Sequence, residues 1–124
     1  MIHLDTHVAL WLQGGEAQRL TSLGRRLLEE EDVVLSPLVL VEVSLLAERG
    51  RVATSADDVL AGLAGRLDAR TSTAALTDVC LRAHLTPWTR DPFDRLLLAN
   101  ARADGARLLT KDRVLREHAE DAVW

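Results

Sequence analysis

Four carboxylates stand where an apolar sequence has little reason to place them. Asp5 ends the run Ile2-His3-Leu4, and Glu42 is the only charge between Pro37 and Ala47. Asp94 lies within Asp91-Pro92-Phe93-Asp94-Arg95-Leu96-Leu97-Leu98-Ala99-Asn100-Ala101, and Asp112 follows Ala106-Arg107-Leu108-Leu109-Thr110. Carboxylates at the ends of apolar strands, or inside an apolar helix, cost folding energy unless their charge is compensated. A divalent cation is the simplest partner for all four. Hard oxygen donors with no convergent His or Cys cluster point to Mg2+ or Mn2+ and away from zinc. Such an ion can hold a phosphate oxygen, acidify a water and stabilise a leaving oxygen, and phosphodiester hydrolysis uses all three effects.

Taken one at a time, most of these acids also have a purely structural explanation. Asp5 is a candidate N-cap for a helix starting at Thr6. Asp91 before Pro92 is a natural N-cap, and that role is sufficient for it. Asp94, three residues on, suits a capping box and the positive end of the helix dipole. Asp112 fits a turn after Thr110-Lys111. Glu42 is different, because Leu38, Val39, Leu45 and Leu46 lie three and four places from it on one helical face. A helix apolar nearly all round is expected to be buried, and a buried glutamate needs a partner or a proton. An arginine from elsewhere would also serve as that partner.

The elements that must position these acids alternate. Met1–Leu4 reads as a strand and Thr6–Leu12 as a helix ending at Gly14-Gly15. An amphipathic helix is expected over Ala17–Glu31, with Leu20, Leu23, Leu27 and Leu28 on one face. Asp32–Leu35 reads as a strand. Ser36-Pro37 opens a helix over Leu38–Arg49, and Gly50 closes it. Ser55 and Asp58 open another, running to about Arg70. Thr73–Leu76 is a weak strand, followed by a helix over Asp78–Leu85 capped by Thr77. A helix follows Asp91-Pro92 and ends at Gly105. Leu108-Leu109 form a strand, Arg113–His118 a short helix and Ala122-Val123 an edge strand. Alternation of this kind predicts an α/β fold with a parallel sheet covered on both faces. Ligands of such sheets bind beyond the carboxyl ends of the strands, where Asp5 and Asp112 should share an edge.

Composition bounds the rest. The chain has 124 residues, enough for one domain over 1–124 with a real core. Only four residues are aromatic, three Trp and one Phe, so that core must be mainly Leu, Val and Ala. The formal charge of −4 argues against a strongly basic, non-specific nucleic-acid binder. It leaves room for a groove lined by Arg49, Arg51, Arg90, Arg95 or Arg113. One cysteine, Cys80, cannot form an internal disulfide, which suits a reducing cytoplasm. Its apolar helical neighbours place it in the core. No apolar run approaches membrane-spanning length, and Asp5 interrupts the place where a signal peptide would begin.

With these motifs in order, the sequence resembles the PIN-domain ribonucleases, and among them the VapC-type toxins of bacterial toxin–antitoxin pairs. Leu4-Asp5-Thr6-His7-Val8, Leu35-Ser36-Pro37 with Glu42, and Glu48-Arg49-Gly50-Arg51-Val52 carry the likeness. So do Leu85-Thr86-Pro87-Trp88, Asp91-Pro92-Phe93-Asp94-Arg95-Leu96, Leu109-Thr110-Lys111-Asp112 and Val123-Trp124. The resemblance implies a three-layer α/β/α sandwich around a short parallel sheet. It implies Asp5, Glu42, Asp94 and Asp112 as metal-binding catalytic acids, with Asp5 and Asp94 as the direct Mg2+ ligands. Asp91 is then an accessory acid, and Thr6 and Thr110 add hydroxyls at the pocket edge. His7 stands where many relatives carry asparagine and is left as a phosphate-orienting or packing residue. The implied reaction is Mg2+-dependent cleavage of RNA by an activated water, with Mn2+ as a substitute. Implied partners are a second copy of the chain and a small cognate antitoxin.

Three other readings remain open at this level. A haloacid dehalogenase-like phosphatase wants a second aspartate two residues after the first, where this chain has His7. A PIN-like module that only binds RNA or protein is disfavoured by the intact acid set. A PIN nuclease of RNA processing, outside any toxin pair, is not separable from a toxin by sequence.

Overall fold

The computed structural model describes residues 1–124. Five strands form one sheet: β1 (Ile2–Leu4), β2 (Val33–Leu35), β3 (Arg70–Thr71), β4 (Arg107–Leu109) and β5 (Ala122–Val123). Their order is β3-β2-β1-β4-β5, and every pairing is parallel. Seven helices cover it: α1 (Thr6–Gln13), α2 (Ser22–Glu30), α3 (Pro37–Glu48), α4 (Ala56–Leu67), α5 (Leu76–Arg82), α6 (Pro92–Ala103) and α7 (Arg113–His118). The result is the expected three-layer α/β/α arrangement, built on strands short enough that every residue of β1 and β2 is buried.

Helix starts follow local chemistry. The Ser36 hydroxyl accepts from the Leu38 N–H with Pro37 in the first turn, and Ser55 accepts from the Asp58 N–H. Gly50 and Gly105 end α3 and α6 with φ of +67° and +66°, the left-handed backbone that closes a helix at least cost with glycine. A single apolar cluster ties the layers together through Ile2, Leu4, Val39, Leu63, Leu97, Leu108 and their neighbours.

Several expectations are corrected. The segment 17–31 is not one helix: a 3-10 turn (Ala17–Arg19) precedes α2, and Thr21 caps α2 through a bond from the Gly24 N–H. Capping by Thr21 and burial of Leu20 outcompete continuous helical periodicity. The third strand is Arg70–Thr71, not Thr73–Leu76, because pairing with Val34 and Leu35 defines it and nothing in its own composition does. Leu76 instead opens α5, whose cap position is Ala75 and not Thr77. Only Val39 and Val43 of α3 are fully buried, so that helix is not enclosed: Val41 is 51% exposed. Cys80, expected in the core, is exposed, since α5 buries only Val79.

Candidate active site

The sheet fixes where a site can form. The chain runs outward from β1 to β2 and β3, then crosses back to place β4 on the other side of β1. A crevice opens beyond the carboxyl ends of strands at such a reversal. Asp5 follows β1 directly, and its N–H donates to the Leu109 carbonyl at 3.0 Å, tying the two strand ends together. Thr110 and Asp112 continue from β4 on the same rim.

A cleft of about 500 Å3 occupies this crevice, lined by Asp5, His7, Trp11, Glu42, Asp91, Asp94, Lys111 and Asp112. All four expected acids and Asp91 are therefore brought together. Thr6 and Thr110 lie fully buried behind it. Each hydroxyl steadies one carboxylate: Thr110 Oγ1 donates to Asp5 Oδ2 at 2.6 Å, and Thr6 Oγ1 donates to Glu42 Oε2 at 2.5 Å. Thr110 Oγ1 also accepts from the Asp112 N–H at 3.0 Å, so one side chain sets two acids.

The structural explanations separate cleanly. Asp5 occupies the N-cap position of α1, yet its side chain makes no capping bond. Asp94 completes no capping box, because the Asp91 N–H goes to Thr89 Oγ1 instead. The Asp94 carboxylate is left with a long 3.4 Å contact from the Thr89 hydroxyl. Asp91 does cap α6, with Oδ1 accepting from the N–H groups of Phe93 and Asp94. Asp112 caps α7 through Oδ1 and the Leu115 N–H at 2.9 Å, leaving its other oxygen to the cleft.

Crowded like charge shows in proton affinity. Burial, then the charges of Asp91, Asp112, Asp5 and Glu42, push the Asp94 carboxyl up to about 7. Burial raises Asp5 against the opposing Thr110 hydrogen bond. Burial also raises Glu42, with Thr6 opposing and Asp5 and Asp91 adding to it. No arginine or lysine pairs with any of these acids. The donor set suits a hard divalent cation, which would reverse the repulsion that raises these affinities. As they stand, no three of the acids converge in ligand geometry.

Sequence reading missed three contributors. Lys111 is the chain's one lysine, adjoins Asp112, and lies 5.9 Å from the centre of the Trp11 ring. That position made it findable. Trp11 walls the cleft and packs edge-on to Trp124 at 5.9 Å, a pairing only the fold creates. Thr89 carried no local signal.

A parallel α/β sandwich with an acid-lined crevice at its strand reversal defines a class, and the family comparison supplies it. The PIN domain family model matches residues 2–121, so the chain belongs to the PIN domain family. It is similar to Ribonuclease VapC22 of Mycobacterium tuberculosis (strain ATCC 25618 / H37Rv), at 37% identity over 119 residues. That alignment covers 93% of this chain and 89% of the relative.

Proposed function

We propose that the protein is a divalent-metal-dependent endoribonuclease that hydrolyses RNA phosphodiester bonds, and that it serves as the toxin of a toxin–antitoxin pair. One observation carries the reading: five carboxylates share a cleft whose lining includes a single lysine, and burial together with their mutual repulsion lifts Asp94 to about 7. Asp5 and Asp94 are assigned as principal ligands, with Glu42 and Asp112 completing the set and Asp91 accessory. When bound there, Mg2+ or Mn2+ supplies positive charge to a phosphate oxygen and makes a water more acidic.

The chain's own residues prepare that chemistry. Thr110 holds Asp5, which therefore does not turn to cap α1, and Thr6 holds Glu42. Glu42, with its raised proton affinity, is suited to take a proton from an attacking water. Lys111 at the rim offers positive charge to the phosphate next to the one being cut.

The toxin reading rests on the likeness to the VapC relative, and it brings a small antitoxin as partner and the cytoplasm as the working compartment. No helix is long and apolar enough to cross a membrane. A homodimer is part of the same reading, supported by apolar side chains left on the surface of α3 and α5: Val41, Leu76 and Leu81.

The test is RNA cleavage with Mg2+ or Mn2+, with EDTA and Asp94→Asn as controls. Cleavage should require metal and the carboxylate; metal-independent cleavage would overturn the reading. Induced expression should arrest growth in wild-type form and not as Asp5→Asn. Equal harmlessness of the two would leave an RNA-processing nuclease as the better reading.

A further inference from the structure

A second cavity, of about 540 Å3, adjoins the acidic cleft and shares its wall residues His7 and Trp11. Leu10, Leu46, Val52 and Ala53 make it half apolar, in contrast to the cleft, where Trp11 is the only hydrophobic lining residue. None of the other sizeable cavities shares a residue with the cleft. Arg51 lines this groove and Lys111 lines the adjoining cleft. Neither makes an ion pair with an acid, whereas Arg19, which lies over the Trp11 ring, is paired with Glu16 of the groove lining.

The chemistry of the substrate class explains that pairing of surfaces. A phosphodiester seated among the carboxylates carries a nucleoside on each side, and its flat, largely apolar base cannot be received by a carboxylate-lined cleft. We propose that the groove between α1 and the 51–54 segment is a base subsite, which takes the unpaired nucleobase next to the scissile phosphate. Leu10, Trp11, Leu46 and Val52 meet its faces, while Arg51 and Lys111 meet the phosphates on either side. Gly14 and Thr54 put polar atoms at the groove edge, where the base can be told from others. A base held in a helix stack cannot enter, so the groove selects RNA whose cut site is unpaired.

This rests on the nuclease reading, and the experiment keeps the two apart. Ala53 is exposed, so Ala53→Trp fills the groove without touching the core. Wild type and Ala53→Trp are compared on one short oligoribonucleotide and on versions with an abasic nucleotide on either side of the cut. The variant should lose about tenfold in kcat/KM on the intact RNA, the scale of one lost base contact. Its penalty should shrink at least about fivefold on one of the two abasic RNAs, since a missing base cannot clash. An equal penalty on all three RNAs would overturn the base subsite and give the groove to another occupant, such as an apolar protein segment. Wild type that cuts none of them with Mg2+ or Mn2+ present would overturn the nuclease reading itself. Arg51→Ala supplies the second measurement: a weaker salt dependence of KM is expected, and an unchanged one counts against the phosphate contact.

Discussion

Two polar clusters flank the same central strand and are built on opposite principles. Inside β1, His3 is fully buried, and its Nε2 donates to Asp104 Oδ2 at 2.8 Å. Ser72 Oγ donates to the same oxygen at 2.6 Å and accepts from Asn100 Nδ2 at 2.8 Å. Donors meet acceptors throughout, apart from His3 Nδ1. Just past β1, Asp5 and the other cleft acids have like charge, with buried hydroxyls on Asp5 and Glu42 but no ion pair to any basic side chain. The first cluster has its partners within the chain, whereas the second holds carboxylates that no basic side chain pairs with. Uncompensated repulsion of this kind beside a well-partnered cluster is what the proposed function would require.

The largest expected effect tests the unsatisfied side. Asp5→Asn and Asp94→Asn should each lower RNA cleavage by at least about 100-fold, with helical content by circular dichroism unchanged. Cleavage persisting in both would refute the assignment of the acids. The same substitution should raise the thermal midpoint in EDTA, because it removes repulsion. A fall there would mean that Asp94 is held by something other than like charge.

Acidity sharpens the contrast. Asp94 titrates near 7 in the folded protein against 3.8 ordinarily, so the folded chain keeps a proton that the unfolded chain releases. Stability from this group is present at low pH and is lost as pH climbs from about 4 through about 7. Burial lowers His3, which therefore contributes in the opposite sense, losing stability as pH falls below its ordinary 6.5. Between about pH 6.5 and 8 only the cleft should speak. There the EDTA midpoint of the wild type should drop, that of Asp94→Asn should drop less, and Mg2+ should abolish the drop. A flat wild-type profile would sink the argument.

On the satisfied side, Asp104→Ala should cost about 1–3 kcal/mol in urea unfolding, since it strands a buried histidine and a serine. Cleavage per folded molecule should not change. Asp91 joins both behaviours: Asp91→Ala should lose about 1 kcal/mol with the cap, whereas Asp91→Ser should keep the cap and lower the Asp94 titration midpoint. The smallest effect is expected at exposed Cys80, where Cys80→Ser should stay within about 0.5 kcal/mol of wild type.

Local chemistry made much of this fold readable in advance. Ser36-Pro37, Ser55 and Asp91-Pro92 each announced a helix that begins there. The acids were readable because charge in apolar surroundings is conspicuous. What escaped was decided by neighbours distant in sequence. Arg70–Thr71 is a strand only because β2 lies beside it, and Cys80 is exposed because α5 presents one buried side chain to α6. The capping box expected for Asp94 failed because Thr89 took the N–H it needed.

The bond from Thr110 to Asp5 spans 105 positions of chain. Beyond stability, this bears on timing: more than a hundred residues must follow Asp5 out of the ribosome before it can meet its partner on β4. A nascent chain thus carries Asp5 and Glu42 early, but without the Thr110 hydroxyl that steadies Asp5 in the folded cleft. The two rims of the cleft come together only where β4 pairs beside β1.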